Sequence, residues 1–195
     1  LKLMTDVNCA WNYNDIVKKK DFLEKINLFW VEEPIFPPEN YEELSKLRNN
    51  CNIKIAAGEN ACTFWDFKKM IDTKAVNFSQ PSVIKVGGIS EMYKIIKYSE
   101  KNNIPVMPHT AYFGPGFLAS LQLAAITEKQ TFIERFWLEL EEEFYPDFKA
   151  AKNGKYFLDN VGSFNAMAEV AFYDGDNQEI SRIWVRPQQK QTALD

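Results

Sequence analysis

The sequence has a single histidine, His109, in 195 residues, which excludes a metal centre built from several imidazoles. Its three cysteines, Cys9, Cys51 and Cys62, are odd in number and stand at spacings that fit neither a zinc knuckle nor a CxxC pair, so they read as incidental thiols of a reducing compartment. Basic residues are in deficit, 23 Lys and Arg against 27 Asp and Glu, and they are scattered, which removes the electrostatic footprint of a nucleic-acid binder. No apolar run reaches the roughly 18 residues a bilayer span requires. The opening stretch Leu1-Lys2-Leu3-Met4-Thr5-Asp6 lacks the basic, apolar and small-residue segments of a signal peptide. Phosphate loops are missing too. Gly87-Gly88 and Tyr112-Phe113-Gly114-Pro115-Gly116 match neither a P-loop nor GxGxxG and read as turns that open helices. The expectation is a soluble cytoplasmic protein with no membrane and no nucleic-acid partner.

What the sequence does have is a rhythm. Short runs of strand character at residues 1–6, 27–32, 53–59, 75–82, 104–109 and 131–134 end in Asp6, Glu32, Glu59, Ser82, His109 and Glu134, 23 to 27 residues apart. That period fits one strand, one helix of about three turns and two short loops. Continuous apolar runs such as 28–31 and 53–57 suit parallel strands covered on both faces. Between them lie helix signals. Asn14 or Asp15 is placed to cap a helix reaching 25, with Ile16, Phe22, Leu23 and Ile26 as its apolar positions. Asn40 is placed to cap 41–48 and Thr63 to cap 64–71, Ser90 with Glu91 opens a helix to about 101, and 116–127 is a helix rich in small residues.

The fold expected is α/β: a partial (β/α)8 TIM-like barrel of about six βα units over residues 1–136. Six units are too few to close an eight-stranded barrel of about 250 residues. The reading is therefore a chain that lacks about two units ahead of Leu1 and carries an edge strand in need of cover. Residues 137–195 form an extension expected to pack on the barrel. It holds an acidic run at 139–143, a β-hairpin of 169–173 and 180–185 about Asp174-Gly175, and a frayed end at 188–195.

Carboxyl ends of successive barrel strands point into one bowl, so Asp6, Glu59 and one of Glu32 and Glu33 are expected to converge there. Strand parity alone leaves the choice between Glu32 and Glu33 open. Three carboxylates without thiol or imidazole favour a hard divalent ion, Mg²⁺ first and Mn²⁺ second. His109, beside Pro108 and outside any helical stripe, is either a structural imidazole or a proton-transfer group.

The motifs Asp6-Val7-Asn8, Trp30-Val31-Glu32-Glu33-Pro34, Gly58-Glu59-Asn60, Lys85-Val86-Gly87-Gly88, His109 and Ile133-Glu134-Arg135 resemble, in order and spacing, the barrel domain of the enolase superfamily in its mandelate racemase branch. The resemblance covers residues 1–136 and implies the third to eighth barrel strands. It implies Asp6, Glu32 and Glu59 as ligands of Mg²⁺, with Glu33 turned outward or supporting. It further implies a small-molecule carboxylate substrate that loses its α-proton through an enediolate, with His109 as catalytic acid or base and Glu134, protonated, donating to the substrate carboxylate. Asn8, Asn60, Ser82, Lys85 and Tyr112 are the neighbouring substrate-binding or supporting positions. A homo-oligomer is expected of the full-length form.

Three departures qualify the likeness. Ser82 stands where this branch commonly places the aspartate that orients the histidine, so His109 is expected to be a weaker base and less firmly held. The second-strand base of racemases would precede Leu1, which favours dehydration of a sugar acid over racemisation or epimerisation of a hydroxy or amino acid; a catalytically inactive barrel fragment is the further alternative. The glycine-rich segment that commonly follows the eighth strand is not found.

Overall fold

The computed structural model describes residues 2–129, 131–135, 168–173 and 179–185. The chain divides into two compact units, residues 1–138 and 139–195.

In the first unit, short strands alternate with helices. The order is β1 (Met4–Asp6), α1 (Tyr13–Lys25), β2 (Trp30–Glu32), α2 (Tyr41–Asn50), β3 (Ile55–Ala57), α3 (Phe64–Asp72), β4 (Phe78–Ser79), α4 (Ile89–Lys101) and α5 (Pro115–Ala125). The strands form one parallel sheet in the order β1-β2-β3-β4, with Asp6 opposite Glu32 and Glu32 opposite Ala56. Parallel neighbours need a crossover, and the helices supply it.

The sheet continues past its regular strands. Val106 bridges Ser79 in parallel, with Met107 N donating to Ser79 O at 2.8 Å and His109 N to Pro81 O at 3.2 Å. Residues 131–135 then lie against this segment through side chains: Thr131 Oγ1 donates to Val106 O, and Thr110 Oγ1 to Glu134 O at 2.6 Å. Of the six expected strands, four are paired strands, the fifth is a single bridge, and residues 131–134 carry no strand hydrogen bonding.

Alternation of side chains across a strand divides the apolar residues into two clusters. Val31, Ile55, Ala57 and Val76 face the helices and pack with Ile16, Leu44, Phe67, Met70, Ile95 and Ile96. Trp30, Ala56, Phe78 and Met107 point to the opposite face and form, with Met4, Phe29 and Phe132, the floor of a bowl. Burying both faces is what makes these strands read as unbroken apolar runs.

The helix starts follow cap chemistry. Asn40 caps α2 through its side chain, as expected. In α3, Thr63 Oγ1 accepts from Asp66 N while Asp66 Oδ2 accepts from Thr63 N at 2.9 Å, a reciprocal capping box. Thr63→Ala is expected to cost about 1 kcal/mol of unfolding free energy. A urea midpoint that stays put would show that this cap contributes nothing. The cap of α1 is Asn12, in a box with Asp15, rather than Asn14 or Asp15. Helix α4 begins at Ile89, one residue ahead of Ser90, and its N-cap Gly88 offers no side-chain cap. On α1, Ile16 and Leu23 are buried, whereas Phe22 and Ile26 are exposed with Val17, on a flank that no described residue covers.

The second unit contains β5 (Ala168–Tyr173) and β6 (Glu179–Val185), paired antiparallel with Ala168 opposite Val185. The Asp174-Gly175 turn, the acidic run 139–143 and the end 188–195 lie outside the described residues. Among the described residues, no helix is long and apolar enough to cross a membrane.

Candidate active site

The inward positions one step beyond the apolar floor form a polar tier at the carboxyl ends of the strands. From Met4 this tier holds Asp6, from Trp30 Glu32, from Phe78 Gln80, from Met107 His109 and from Phe132 Glu134. Five of these pairs obey simple alternation. The exception is β3, where Ala56 faces inward and alternation would send Glu59 outward. Gly58, at φ +136°, breaks the alternation and returns Glu59 to the bowl. A left-handed φ of that size is a conformation only glycine adopts without strain.

Glu32, Glu59 and His109 each offer a ligand atom within 4.8 Å of the others. Asp6, expected as a metal ligand with Glu32 and Glu59, is not part of this cluster: it stands beside Glu32 in register but is exposed, and its Oδ1 accepts from Asn8 N at 2.8 Å. It lines the mouth of the bowl, a cavity of about 270 Å³ shared with Trp30, Glu32, Gln80, Phe132 and Glu134.

Charge in this tier is uneven. Burial raises the Glu32 carboxyl to about 7, opposed by a hydrogen bond from Gln80, reinforced by the like charges of Asp6 and Glu134, and opposed again by Trp30 Nε1 at 3.1 Å. His109 Nδ1 lies 2.9 Å from Glu59 Oε2 and 3.1 Å from Glu134 Oε2. Neither approach is aligned as a hydrogen bond, so both are through-space ion pairs. Burial disfavours the imidazolium, yet Glu134 and Glu59 outweigh it and hold His109 up at about 9. Glu59 is depressed in turn, first by His109, with Lys85 adding positive potential. Burial would raise Glu134, but His109 brings it below the usual carboxylate range.

The expectation for His109 changes here. Ser82 is fully buried with no hydrogen-bond partner for its Oγ among the described residues, so it does not orient the histidine. His109 is nevertheless held, and its basicity raised, because Glu59 and Glu134 supply the carboxylates that position 82 lacks. Glu134 lies against His109, which holds its carboxyl below the usual carboxylate range.

The remaining expected residues are distributed around this centre. Glu33 faces away from the bowl but is not outward in the sense of solvated: it is 3% exposed and lies on the helix side of the sheet. There Glu33 Oε1 accepts from Gly58 N at 2.9 Å and Oε2 from Cys9 Sγ at 3.2 Å and Asn60 Nδ2 at 3.4 Å. Asn60 also reaches Glu59 Oε1 at 3.4 Å, which makes it the link between the two acids. Burial dominates Glu33 and Cys9 alike, raising the Glu33 carboxyl and pushing the Cys9 thiol up to about 12. Cys9 is thereby kept protonated and inert. Tyr112 places its ring edge toward His109, centroids 6.2 Å apart, with its hydroxyl 2.9 Å from Ser120 Oγ in the middle of α5. Lys85 and Asn8 are exposed at the rim. Gln80 was not among the expected site residues. Its signal was parity with Phe78, hidden by its lack of charge.

The family described as enolase C-terminal domain-like matches residues 1–161. An arabinonate dehydratase of Saccharolobus solfataricus is 32% identical over 126 residues, 64% of this chain and 33% of its own. Solved structures superpose in the same way. An L-talarate/galactarate dehydratase of Salmonella typhimurium LT2 matches with TM-score 0.64 and 29% identity, over 70% of this chain and 33% of its own. An L-talarate dehydratase of Polaromonas sp. JS666, complexed with Mg and L-glucarate, matches with TM-score 0.61 and 26% identity, over 69% of this chain and 36% of its own. The chain thus spans about a third of the length of the relatives it matches.

Proposed function

The chain belongs to the enolase C-terminal domain-like family, and from that membership we propose that its bowl removes the proton beside a carboxylate of a polyhydroxy acid, in the manner of a sugar-acid dehydratase. The observation that carries this reading is the convergence of Glu32, Glu59 and His109, from the second, third and fifth strand segments, to within 4.8 Å.

The donor set fits a hard divalent cation. Glu32 sits near neutrality because burial and the like charges of Asp6 and Glu134 leave it without a counter-charge, and carboxylate oxygens are the donors Mg²⁺ prefers. Asp6, Glu32 and Glu59 would hold Mg²⁺, or Mn²⁺ in its place. Bound there, the cation supplies the positive charge that lowers the cost of taking a proton from carbon next to a carboxylate. His109 moves that proton, its ring held from one side by Glu134. The apolar floor of Trp30, Phe78, Met107 and Phe132 keeps water from approaching beneath the reacting carbon. One imidazole suffices for dehydration, in which proton removal and loss of a hydroxyl can share a face, whereas racemisation needs groups on both.

The test is α-deuteration, followed by NMR, of a panel of aldonic and aldaric acids, glucarate included, incubated with the purified chain in D₂O. Incorporation that stops on chelation and returns with Mg²⁺ is expected. Exchange indifferent to chelator, or none with any acid of the panel, overturns the reading. Ser82, uncharged where the family resemblance calls for an aspartate, favours one second reading, a cation-binding domain without turnover. Calorimetric Mg²⁺ binding without exchange would establish it.

A further inference from the structure

Glu33 follows β2 directly and turns to the helix side of the sheet, where it is buried. Every hydrogen bond its carboxylate accepts among the described residues comes from a neutral donor: Gly58 N, Cys9 Sγ and Asn60 Nδ2. A buried carboxylate without a cationic partner costs stability, and an apolar side chain of the same volume would avoid that cost. The backbone adds to it, because Glu33 holds a left-handed φ of +41° that a side chain disfavours. Packing on the helix side therefore does not explain an acid at this position.

Its contacts do, and two of them bracket Glu59. Gly58 N, held by Glu33 Oε1 at 2.9 Å, belongs to the peptide that precedes the φ +136° rotation returning Glu59 to the bowl. Asn60 Nδ2, on the other side of Glu59 in the chain, is shared between Glu33 Oε2 and Glu59 Oε1, at 3.4 Å from each. Glu33 also secures the loop after Asp6: its carbonyl accepts from Cys9 N at 2.7 Å and its Oε2 from Cys9 Sγ at 3.2 Å. One residue thus ties together the loop behind Asp6, the end of β2 that carries Glu32 and the turn that aims Glu59. Groups behind the ligands of a cation fix the direction of the ligand oxygens, and their loss typically weakens metal affinity 10- to 100-fold.

We infer that Glu33 is a positioning residue: from the far side of the sheet it sets the turn at Gly58 and the Asn60 amide so that the Glu59 carboxylate faces the bowl for a divalent cation, an inference that rests on the cation-assisted reading above. It lies outside the bowl and is not itself a ligand.

Calorimetric titration with Mn²⁺, beside melting curves in EDTA, of the purified chain and of Glu33→Gln, Glu33→Met, Asn60→Ala and Leu47→Ala tests it. Glutamine keeps the shape of Glu33 but turns a donor toward donors, methionine removes the acceptors, and the exposed Asn60 can be truncated without disturbing the core. Leu47, fully buried late in α2, controls for lost stability alone. The expected result is Mn²⁺ affinity weaker by roughly 10- to 100-fold in the Glu33 variants and in Asn60→Ala, against unchanged affinity in Leu47→Ala. Unchanged affinity in the Glu33 variants, or in Asn60→Ala should neither of them fold, overturns the assignment while leaving the cation reading intact. Weakening matched by Leu47→Ala at a similar loss of midpoint overturns it in favour of a packing role. Absence of Mn²⁺ and Mg²⁺ binding by the unsubstituted chain overturns both readings together.

Discussion

Replacing His109 with asparagine is expected to slow α-proton exchange by roughly 10²- to 10⁴-fold, the usual contribution of a positioned acid or base, while divalent-cation binding survives. The geometry explains why the two effects separate. His109 sits among the acids but offers no oxygen, and asparagine keeps a polar side chain of similar reach without a group that exchanges protons near neutrality. Glu59 and Glu134 lose their cationic neighbour in the variant, so its melting midpoint in EDTA is expected to fall and to recover with Mg²⁺. Calorimetry ensures that the two proteins are compared with the cation bound. Exchange that proceeds at an unchanged rate under saturating Mg²⁺ would remove His109 from the reaction and leave the acids as a binding site only.

Much of this site is legible in the sequence because its period is a geometric necessity. A strand, a helix and two loops consume a nearly constant length, so acids at 6, 32 and 59 and the imidazole at 109 fall near the carboxyl ends of strand segments of one sheet. The cap signals of Asn40 and Thr63 were legible for a similar reason, since each stands alone before an apolar-periodic run. Where cap residues crowd together, as Asn12, Asn14 and Asp15 do, only the reciprocal bond between Asn12 and Asp15 decides, and that bond belongs to three dimensions.

What escaped the sequence shares one cause: the far side of a contact lies on another element. Parity sends Glu33 away from the bowl, but the face it turns to is covered by helices, so the acid is buried against Gly58 N and Cys9 rather than solvated. Ser82 as an isolated substitution predicts a loosely held histidine, yet Glu134, 25 residues after His109, takes up the contact. Phe22 and Ile26 occupy helical core positions by periodicity and are exposed because no described element meets that flank of α1. Gln80 is silent in a search for charges, although it is buried and lines the same cavity as Glu32.

Gly58→Ala is expected to be the most damaging single-methyl change in the first unit. A Cβ at this position would stand 2.7 Å from Phe67 Cε1 and 3.1 Å from Gln80 N, and the backbone is at φ +136°. The strained dihedral costs about 1–3 kcal/mol, and forcing a methyl against a fully buried ring costs about 1–3 kcal/mol more. Phe67 cannot simply swing aside, because it is wholly buried between the sheet and the helices. The double variant Gly58→Ala/Phe67→Leu separates the two contributions: relative to Phe67→Leu alone, the alanine should then cost only the backbone part. Equal costs in both backgrounds, read from urea denaturation, would clear Phe67 and place the whole effect in the backbone. The same bond rotation also aims Glu59, so the alanine variant should gain less stability from Mg²⁺ than the unsubstituted chain does. A Mg²⁺-induced rise in midpoint as large as that of the unsubstituted chain would mean that Glu59 reaches the bowl without the left-handed turn at Gly58.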